Sequence, residues 1–472
     1  MKKLQVLLIA AATLVLAGAL TTGGLYLYTR QHTVPKGTVL AGWDVGKMGI
    51  DAVSAELAGQ LNALSSLPLR LTAPDGTTVA VTLAQAGVSY DAKAFTERMN
   101  RMEEGSLLGR VNARRTFAGS YALSVHYDFA KLKAILSPAW EQASFGLPVD
   151  ATRRISDDDR VLYTPGTTSL EVNWPALESA LQAAVPTQLT AAGSTAIALE
   201  LPLSVKHPAV TLEALQAQGV ERKIVEFSTS LGASGPGRSF NVESAAKAVN
   251  GTILPPGAVF DYGKAIAKAQ TEYGFREAPV IVNGQLQPGT GGGICQVSST
   301  LYNAAVRTGL EIVERRNHSL PVGYLPKGQD ATFSEGYINF RFRNNTGKYL
   351  VIKTAVQGRV LTVKFFGTFP RNVTYGLNSR TVEVLSPPSR YVSDPSLPRG
   401  GTRLLKKGRS GYVVETYITK YVDGKAVERT RLSRDVYPAQ KQVVAINRGG
   451  TSRNLPSETP ERPLVEDGVR GS

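Results

Sequence analysis

The chain has 472 residues, 42% of them hydrophobic, and it carries a formal net charge of +15 with a single cysteine. Its length predicts about three domains, and its hydrophobic content is sufficient for ordinary buried cores. One cysteine excludes an intramolecular disulfide framework and any metal site that is built from several cysteines.

The chain opens with a segment that is long and apolar enough to cross a membrane. The run from Leu4 to Thr29 carries no charge and exceeds the roughly 20 residues that a bilayer requires. Because Lys2 and Lys3 precede this run, the positive-inside rule places the N-terminus in the cytoplasm and the rest of the chain outside. We therefore expect an uncleaved transmembrane anchor over residues 1–33. A signal peptide that is cleaved near Ala17-Gly18-Ala19 is the alternative.

The net positive charge favours acidic partners. For a chain that lies outside the membrane, these partners are anionic lipid headgroups and wall polymers rather than nucleic acid, since no motif that combines aromatic and basic residues is present. The alternative interpretation is that the charge serves only solubility.

Two small α/β units follow the anchor, over residues 34–116 and 117–222. In the first unit, Asp75-Gly76 is typical of a hairpin turn. In the second unit, Asn173 is expected to cap the N-terminus of a helix. A helix in the first unit, over residues 51–64, is predicted by the spacing of four apolar residues, Val53, Leu57, Leu61 and Leu64.

The third unit, residues 223–370, is predicted to be α+β. Asn241 is expected to cap a helix that stops at Gly251, and Asn283-Gly284 is expected at the tip of a hairpin. A further helix follows three consecutive glycines, Gly291 to Gly293. Its predicted apolar face consists of Val297, Leu301, Ala304 and Ala305.

The fourth unit, residues 371–447, alternates apolar and polar residues between glycines and has no helical pattern. It is predicted to be a slender all-β module. Residues 448–472 are polar and rich in proline and glycine, and they are predicted to be a disordered tail. The fold class expected for the whole chain is therefore multidomain α+β.

The single cysteine, Cys295, lies directly after the three glycines, at the start of a predicted helix. The partial positive charge of a helix N-terminus favours the thiolate form of a cysteine. His318 and Asp330 follow in an order that suits a thiol nucleophile, a base and an orienting carboxylate. The backbone amides of Gly293, Ile294 and Cys295, with the side chain of Gln296, are candidate donors to an oxyanion.

Each of these three residues also has a purely structural interpretation. The cysteine can be a small residue in a tight space, the histidine can hydrogen-bond within a loop, and the aspartate can belong to a turn or a cap. A zinc site formed by Cys295, His318 and Asp330 is a further alternative, but it lacks the usual pairs of closely spaced ligands. We expect no cofactor.

Four other polar residues are candidate ligands for an anionic substrate. Arg238 and Asn241 precede a predicted helix start, where backbone amides favour anions. Arg315 and Arg316 flank His318 and can receive a carboxylate or a phosphate group of a wall precursor. The alternatives are an asparagine cap with a solvated arginine, and two arginines that only keep a strand end soluble.

Three regions of the chain carry recognisable sequence patterns. The stretches FSTSLGASGPGRSFNV, AVNGTILPPGAVFDY, GGGICQVSSTLYNAAVRTGLEIVERRNHS, PVGYLPKGQDATF and FRFRNNTG fall in residues 224–368, and this region resembles the VanW family, named for an accessory protein of vancomycin-resistance clusters. The stretch DPSLPRGGTRLLKKGRSGYVVETYITKYVDGKAVERTRLS resembles the G5 domain, a β module of wall proteins linked to binding of N-acetylglucosamine. Residues 34–222 are similar to the peptidoglycan-binding region that often precedes VanW modules.

The resemblance implies a membrane-anchored, extracytoplasmic cell-wall protein whose partners are peptidoglycan or other N-acetylglucosamine-containing wall polymers and the membrane. It leaves three functions open. The first is a protein that binds peptidoglycan without catalysis. The second is a Cys-His thiol enzyme that hydrolyses or transfers peptidoglycan peptide bonds. The third is an accessory protein or sensor for a glycopeptide antibiotic or a lipid-linked wall precursor.

Overall fold

The structure, a computed structural model, describes residues 2–193, 196–282, 284–448 and 465–469. It has the mixed α+β architecture that the sequence predicts. The chain divides into two compact units, residues 1–150 with 166–209 and residues 151–165 with 210–472. The finer domain limits at residues 33/34, 116/117, 222/223, 370/371 and 447/448 stay predictions.

Most of the helices are short, and two of the longer ones belong to the region around the cysteine. The helices are α1 Lys2–Thr29, α2 Ile50–Ser65, α3 Lys93–Asn100, α4 Leu107–Arg115, α5 Phe129–Ile135, α6 Pro138–Phe145, α7 Trp174–Ala184, α8 Leu212–Ala217, α9 Pro236–Val249, α10 Tyr262–Glu272 and α11 Ile294–Arg307, with a 3₁₀ turn at Leu189–Gly193.

The strands form many small sheets. They are β1 Thr38–Leu40, β2 Trp43–Asp44, β3 Pro68–Thr72, β4 Thr78–Thr82, β5 Val88–Asp91, β6 Gly119–Tyr121, β7 Ser124–Tyr127, β8 Thr152–Ile155, β9 Val161–Thr164, β10 Ser169–Val172, β11 Ile197–Glu200, β12 Leu203–Lys206, β13 Arg222–Ser230, β14 Thr252–Leu254, β15 Val259–Asp261, β16 Glu277–Val282, β17 Gln285–Thr290, β18 Glu311–Glu314, β19 Arg341–Arg343, β20 Leu350–Gln357, β21 Val360–Gly367, β22 Val373–Leu385, β23 Ser389–Ser393, β24 Thr402–Lys406, β25 Gly411–Val422, β26 Lys425–Tyr437, β27 Gln442–Ile446 and β28 Val465–Glu466.

Helix α1 is the one helix in the described residues that is long and apolar enough to span a membrane. Its most apolar window has a mean hydropathy of 2.2, and none of that window is buried against the rest of the chain. A helix of this kind at an N-terminus fits both a membrane anchor and a signal sequence.

The compact unit of residues 1–150 and 166–209 has one hydrophobic core. Residues from both predicted N-terminal regions, 34–116 and 117–222, contribute to that core. Strands β3 and β4 form the predicted hairpin, and β11 pairs in parallel with β3. The predicted helix of the first region is α2. In the second region, the Asn173 side chain accepts a hydrogen bond from the Ala176 amide, so the predicted cap of α7 is confirmed. The shared core includes Val53, Leu57, Leu64, Leu177 and Leu181.

The second unit is organised around α11. Strands β13, β21, β20 and β14 form an antiparallel sheet in that order, and α11 packs against β13, β21 and α9. Every residue of α11 from Ile294 to Val306 is buried, so this helix is buried on all sides rather than on the predicted apolar face alone. Strands β16 and β17 form the predicted hairpin. Asn283, which was predicted at its tip, lies outside the described residues.

Helix α9 corrects the predicted cap at Asn241. The helix begins at Pro236, whose fixed backbone torsion suits the first helical position, and Gly235 is the N-cap. Asn241 therefore lies inside the helix. It is fully buried, and its side-chain amide donates to the carbonyl oxygens of Arg276 and Gly292.

Residues 371–448 form strands and connecting turns, with no helix among them, as the sequence predicts. Strands β22, β25 and β26 form one antiparallel sheet, and β23, β27 and β24 form a second. The predicted disordered tail differs in one part. Val465–Val469 is ordered and packs against the region of the cysteine, since β28 pairs with β16; residues 449–464 and 470–472 lie outside the described residues.

Candidate functional site

The three glycines before Cys295 allow the chain to enter α11 in a crowded place. Gly291 and Gly293 have φ values of 86° and 109°, and residues other than glycine rarely adopt such values. A Cβ at Gly293 would lie 2.7 Å from the Arg238 side chain, and one at Gly292 would collide with the Pro279 carbonyl oxygen. Helix α11 starts at Ile294, so Cys295 is in its first turn, as the sequence predicts.

Cys295 is fully buried, and its sulfur contacts the backbone of Phe333. The Phe333 amide donates to Sγ at 3.0 Å, and Sγ lies 3.4 Å from the Phe333 carbonyl oxygen. Burial raises the pKa of the Cys295 thiol well above its usual value, the nearby Asp467 carboxylate raises it further, and the Phe333 amide opposes this rise. The thiol is therefore neutral in this arrangement, whereas the helix N-terminus alone favours the thiolate.

His318 and Asp330 form a buried pair. The Asp330 Oδ2 atom accepts from both the Nδ1 and the backbone amide of His318, each at 2.7 Å. The Tyr437 hydroxyl donates to Oδ1 of the same carboxylate, and Arg315 lies 3.7 Å from it. All of these side chains are buried or nearly so.

The electrostatics of the pair favour an ionised aspartate. Burial acts to raise the pKa of Asp330, but the hydrogen bonds and charge of His318, together with Arg315, outweigh it and lower this pKa to about 2. Burial acts to lower the pKa of His318, and the Asp330 carboxylate outweighs it, so the pKa of His318 is raised. With Nδ1 directed to Asp330, the basic nitrogen is Nε2, which is buried and has no hydrogen-bond partner.

One short segment connects the cysteine with the histidine. Residues 330–333 bind His318 through Asp330 and Cys295 through Phe333. Between them, the carbonyl oxygen of Ala331 accepts hydrogen bonds from Ser298 and Ser299 of α11. The three predicted site residues are thus brought together on neighbouring elements, but Sγ and Nε2 are not hydrogen-bonded to each other, since Nε2 has no partner.

Gln296 is not free to bind an oxyanion. Its side-chain amide donates to the Thr229 hydroxyl and to the Ser230 carbonyl oxygen, and its Oε1 accepts from Arg238. The predicted backbone donors at the start of α11 are occupied as well. The amide of Ile294 donates to the Gly291 carbonyl oxygen at 3.2 Å. The amide of Cys295 donates to Asp467 Oδ1 at 2.7 Å, and the amide of Gly293 donates to the same carboxylate.

The four candidate anion ligands have different surroundings. Arg315 is buried and donates to Asp435 and to the carbonyl oxygen of Asp330, so it serves carboxylates of the protein itself, and the interpretation that it solubilises a strand end is wrong. Arg316 is exposed. Asn241 holds backbone groups together, as described above. Arg238 lies in the first turn of α9 and does not precede a helix start, because Pro236 begins that helix earlier than predicted. It is half-buried, with its guanidinium 5.8 Å from the centre of the Tyr324 ring.

Arg238 and Tyr324 line a groove of about 670 Å³ next to the cysteine. Its charged lining residues are Arg238, Lys327, Arg409 and Asp467, so positive charge is in excess. In the part of the chain that the structure describes, no three histidine, cysteine, aspartate or glutamate side chains are placed to hold a metal ion. Because its lining carries more positive than negative charge, the groove suits an acidic ligand.

Sequence reasoning missed Tyr437, Asp435, Glu466 and Asp467. The first two lie in the all-β module, more than a hundred residues from Asp330 and Arg315. The last two lie in the predicted tail. The two valines on either side of this acidic pair, Val465 and Val469, were the available sign that this part of the tail is not purely polar.

Residues 237–366 match the profile of the VanW-like proteins, and residues 378–448 match the profile of the G5 domain. The chain carries a VanW-like domain and a G5 domain. Cys295, His318 and Asp330 all lie in the VanW-like domain, whereas Tyr437 lies in the G5 domain.

Two curated proteins are similar to the chain. The uncharacterized protein YoaR of Bacillus subtilis is 34% identical over 196 residues, which are 42% of this chain and 62% of YoaR. The vancomycin B-type resistance protein VanW of Enterococcus faecalis is 35% identical over 112 residues, which are 23% of this chain and 41% of that protein. The match thus spans less than two thirds of each relative.

Two solved G5 domains align with a small part of the chain. The G5 domain of an IgA1 protease is 19% identical and covers 16% of this chain and 88% of its own length, with a TM-score of 0.14. The HP0197-G5 structure is 31% identical and covers 16% of this chain and 97% of its own length, with a TM-score of 0.12.

Proposed function

We propose that the VanW-like domain is a thiol enzyme that hydrolyses or transfers peptide bonds of peptidoglycan, with Cys295 as nucleophile, His318 as base and Asp330 as the orienting carboxylate. The observation that carries the proposal is the buried imidazole, with Nδ1 bound to Asp330 and Nε2 unpartnered. A buried polar atom without a partner is costly, so its retention favours a function. The same orientation of histidine by aspartate prepares Nε2 to accept a proton in other triads.

The proposed reaction has two stages. His318 Nε2 accepts the thiol proton, and the thiolate attacks the carbonyl carbon of a stem-peptide amide. The amides of Gly293 and Cys295 donate to the resulting oxyanion, the C–N bond breaks, and the amine leaves with the proton from His318. Water or a second amine then attacks the thioester and releases the thiol. This sequence requires Sγ and Nε2 to come within hydrogen-bonding distance.

The other regions of the chain support a location at the wall. Helix α1 anchors the chain, with residues from about 34 onward outside the cytoplasmic membrane, because Lys2 and Lys3 precede an apolar helix. The G5 domain and residues 34–222 bind peptidoglycan or N-acetylglucosamine-containing polymers. In this proposal they hold the VanW-like domain near its substrate.

A second candidate is a wall-binding protein without catalysis. It is favoured by the complete burial of Cys295 and by the raised pKa of its thiol, since a neutral buried thiol is inert. In that case His318 and Asp330 only stabilise the fold.

The test is an assay of the full chain in detergent on purified muropeptides, with products identified by mass spectrometry. Shorter or cross-linked stem peptides are expected, Cys295→Ser should abolish them, and His318→Ala should reduce their rate by about 100-fold. His126→Ala is the matched control and should have no effect, because this exposed histidine lies in the compact unit of residues 1–150 and 166–209, outside the VanW-like domain. Product formation by Cys295→Ser at the wild-type rate would contradict the proposal.

A further inference from the structure

Residues Val465–Val469, here called the returning segment, lie in the candidate site as an extended strand. Glu466 pairs with Ile281 and Val465 with Val282, so the segment is a third strand beside the β16–β17 hairpin. Gly468 forms a bridge with Ser334, and the Val469 amide donates to the Thr290 carbonyl oxygen at 2.9 Å. The backbone of the segment is thus bound to β16, to Ser334 and to Thr290.

The two carboxylates of the segment are held in buried cradles. Asp467 Oδ1 accepts from the amide of Cys295, and the amide of Gly293 binds the same carboxylate. Glu466 Oε2 accepts from both the amide and the hydroxyl of Ser319, each at 2.9 Å. Asp467 is 8% exposed and Glu466 is 4% exposed. Ser319 follows His318 directly, so the two acidic residues link the cysteine and histidine sides of the site.

The shape of the segment also matches the site closely. Asp467 has a φ of 63°, a left-handed conformation that is uncommon for residues other than glycine. A Cβ at Gly468 would lie 2.6 Å from Val280 and 2.8 Å from the Thr290 carbonyl oxygen, so only glycine fits there. These features indicate a specific contact rather than loose packing of a polar tail.

Two polar atoms of the site remain without partners while the segment is bound. His318 Nε2 and Thr332 Oγ1 are buried and make no hydrogen bond. The segment therefore occupies the amides that are assigned to the oxyanion but leaves the proposed base, His318 Nε2, unsatisfied. A different occupant, one with a further donor or acceptor, can satisfy them.

From these contacts we propose that the site binds an extended peptide that carries a carboxylate, and that the returning segment is its built-in occupant and shields Cys295 until it is displaced. This rests on the proposed function, because the amides that bind Asp467 are the ones assigned to the oxyanion. Stem peptides of peptidoglycan are short peptides with free carboxylates, and they belong to the same chemical class. The positively charged groove beside the site suits such a ligand.

The single cysteine gives a direct measurement of occupancy. The rate of alkylation by iodoacetamide is measured on the full chain in detergent, and every label reports Cys295. We expect slow labelling of the wild type and at least tenfold faster labelling of Glu466→Gln, Asp467→Asn and a chain that ends at Leu464. Asp157→Asn is the matched control and should label at the wild-type rate, because Asp157 is exposed and is distant in sequence from Cys295 and from the returning segment.

Addition of the segment as a separate peptide separates occupancy from electrostatics. Removal of the Asp467 charge also favours the thiolate, so Asp467→Asn alone can label faster for either reason. A synthetic peptide of residues 463–469 should restore slow labelling to the chain that ends at Leu464, and the same peptide with Asp467→Asn should restore it less. Circular dichroism spectra establish that each variant is folded.

The outcomes separate this inference from the proposed function. If the shortened chain labels at the wild-type rate, or if the added peptide gives no protection, the inference is wrong. If the peptide and an isolated stem peptide both protect Cys295 while muropeptides stay unchanged, the binding site stands and the enzyme proposal fails. If muropeptides are processed at equal rates by the full and shortened chains, the enzyme proposal stands and the shielding role fails.

Discussion

The VanW-like domain and the G5 domain place their polar residues in opposite environments. In the VanW-like domain, α11 is buried along its length, and His318 and Asp330 have no exposed surface. In the G5 domain, strands β22, β23, β24 and β26 are mostly exposed, and even apolar side chains such as Val384 and Leu404 are 60% and 54% exposed. A buried polar cluster can change pKa values and exclude water, whereas exposed side chains stay solvated.

The G5 domain is best buried where it meets the VanW-like domain. Tyr437 donates to Asp330, Asp435 accepts from Arg315, and the hydroxyl of Thr416 donates to the Gly328 carbonyl oxygen. The outer part of the polar network around the candidate site therefore comes from the neighbouring domain. Both domains therefore build the site, although the three candidate catalytic residues belong to one.

The largest expected effect separates the two regions by stability. Asp330→Asn should lower the free energy of unfolding by about 4 kcal/mol, because His318, Arg315 and Tyr437 lose a buried charged acceptor. The measurement is the urea concentration at which Cys295 becomes reactive to iodoacetamide.

The matched control for this change lies in the G5 domain. Asp394→Asn removes a carboxylate whose partner, Arg403, is exposed, and it should leave the urea midpoint at Cys295 unchanged. Equal midpoints for the two variants would show that the buried pair does not stabilise the VanW-like domain.

Acid should destabilise the VanW-like domain through the same aspartate. The pKa of Asp330 is lowered to about 2 in the folded chain, so its contribution is present above its unfolded pKa and is lost as the pH falls from about 4 towards 2. That contribution is about 2.5 kcal/mol. The pKa of His318 is raised, so its contribution is complete below about 6.5 and is lost as the pH rises through the folded value.

The check is the urea midpoint followed by circular dichroism between pH 5 and pH 2, for the wild type and for Asp330→Asn. The wild type should lose stability more steeply than the variant, because the variant has no carboxylate to protonate at this position. Parallel curves for the two proteins would contradict the lowered pKa.

The smallest expected effect concerns the exposed surface. Tyr391 of the G5 domain is 43% exposed, and the Arg448 guanidinium lies 5.5 Å from the centre of its ring. An exposed aromatic ring of this kind can pack against a sugar. Tyr391→Ala should reduce binding to insoluble wall material by about threefold. Tyr273→Ala, at a 42% exposed tyrosine of the VanW-like domain, should have no effect in the same sedimentation assay. Equal loss in both variants would remove the distinction between a buried site and a binding surface.

Local patterns in the sequence predicted much of the secondary structure. The helix after the three glycines, the hairpin at Asp75-Gly76 and the cap at Asn173 depend on neighbouring residues, and all three are present. The cap at Asn241 was wrong, since Pro236 starts that helix earlier and tertiary packing uses Asn241 to hold two distant carbonyl groups.

The candidate site was predictable only in part. The order of Cys295, His318 and Asp330 suggested that they belong together, and the structure places His318 and Asp330 in contact. Their catalytic roles stay a prediction. The carboxylate on the Cys295 amide comes from Asp467, which is 172 residues away, and no spacing rule connects residues at such separations.

The apolar N-terminal helix, the α+β class, the all-β module and the cysteine at a helix start were all predictable, because each follows from residues that are close together in the chain. The protonation state of that cysteine was not, because it depends on tertiary contacts. A helix N-terminus favours a thiolate, but burial and the returning Asp467 carboxylate hold the Cys295 thiol neutral. Burial and long-range charge depend on which distant segments meet, and that is a property of the folded chain.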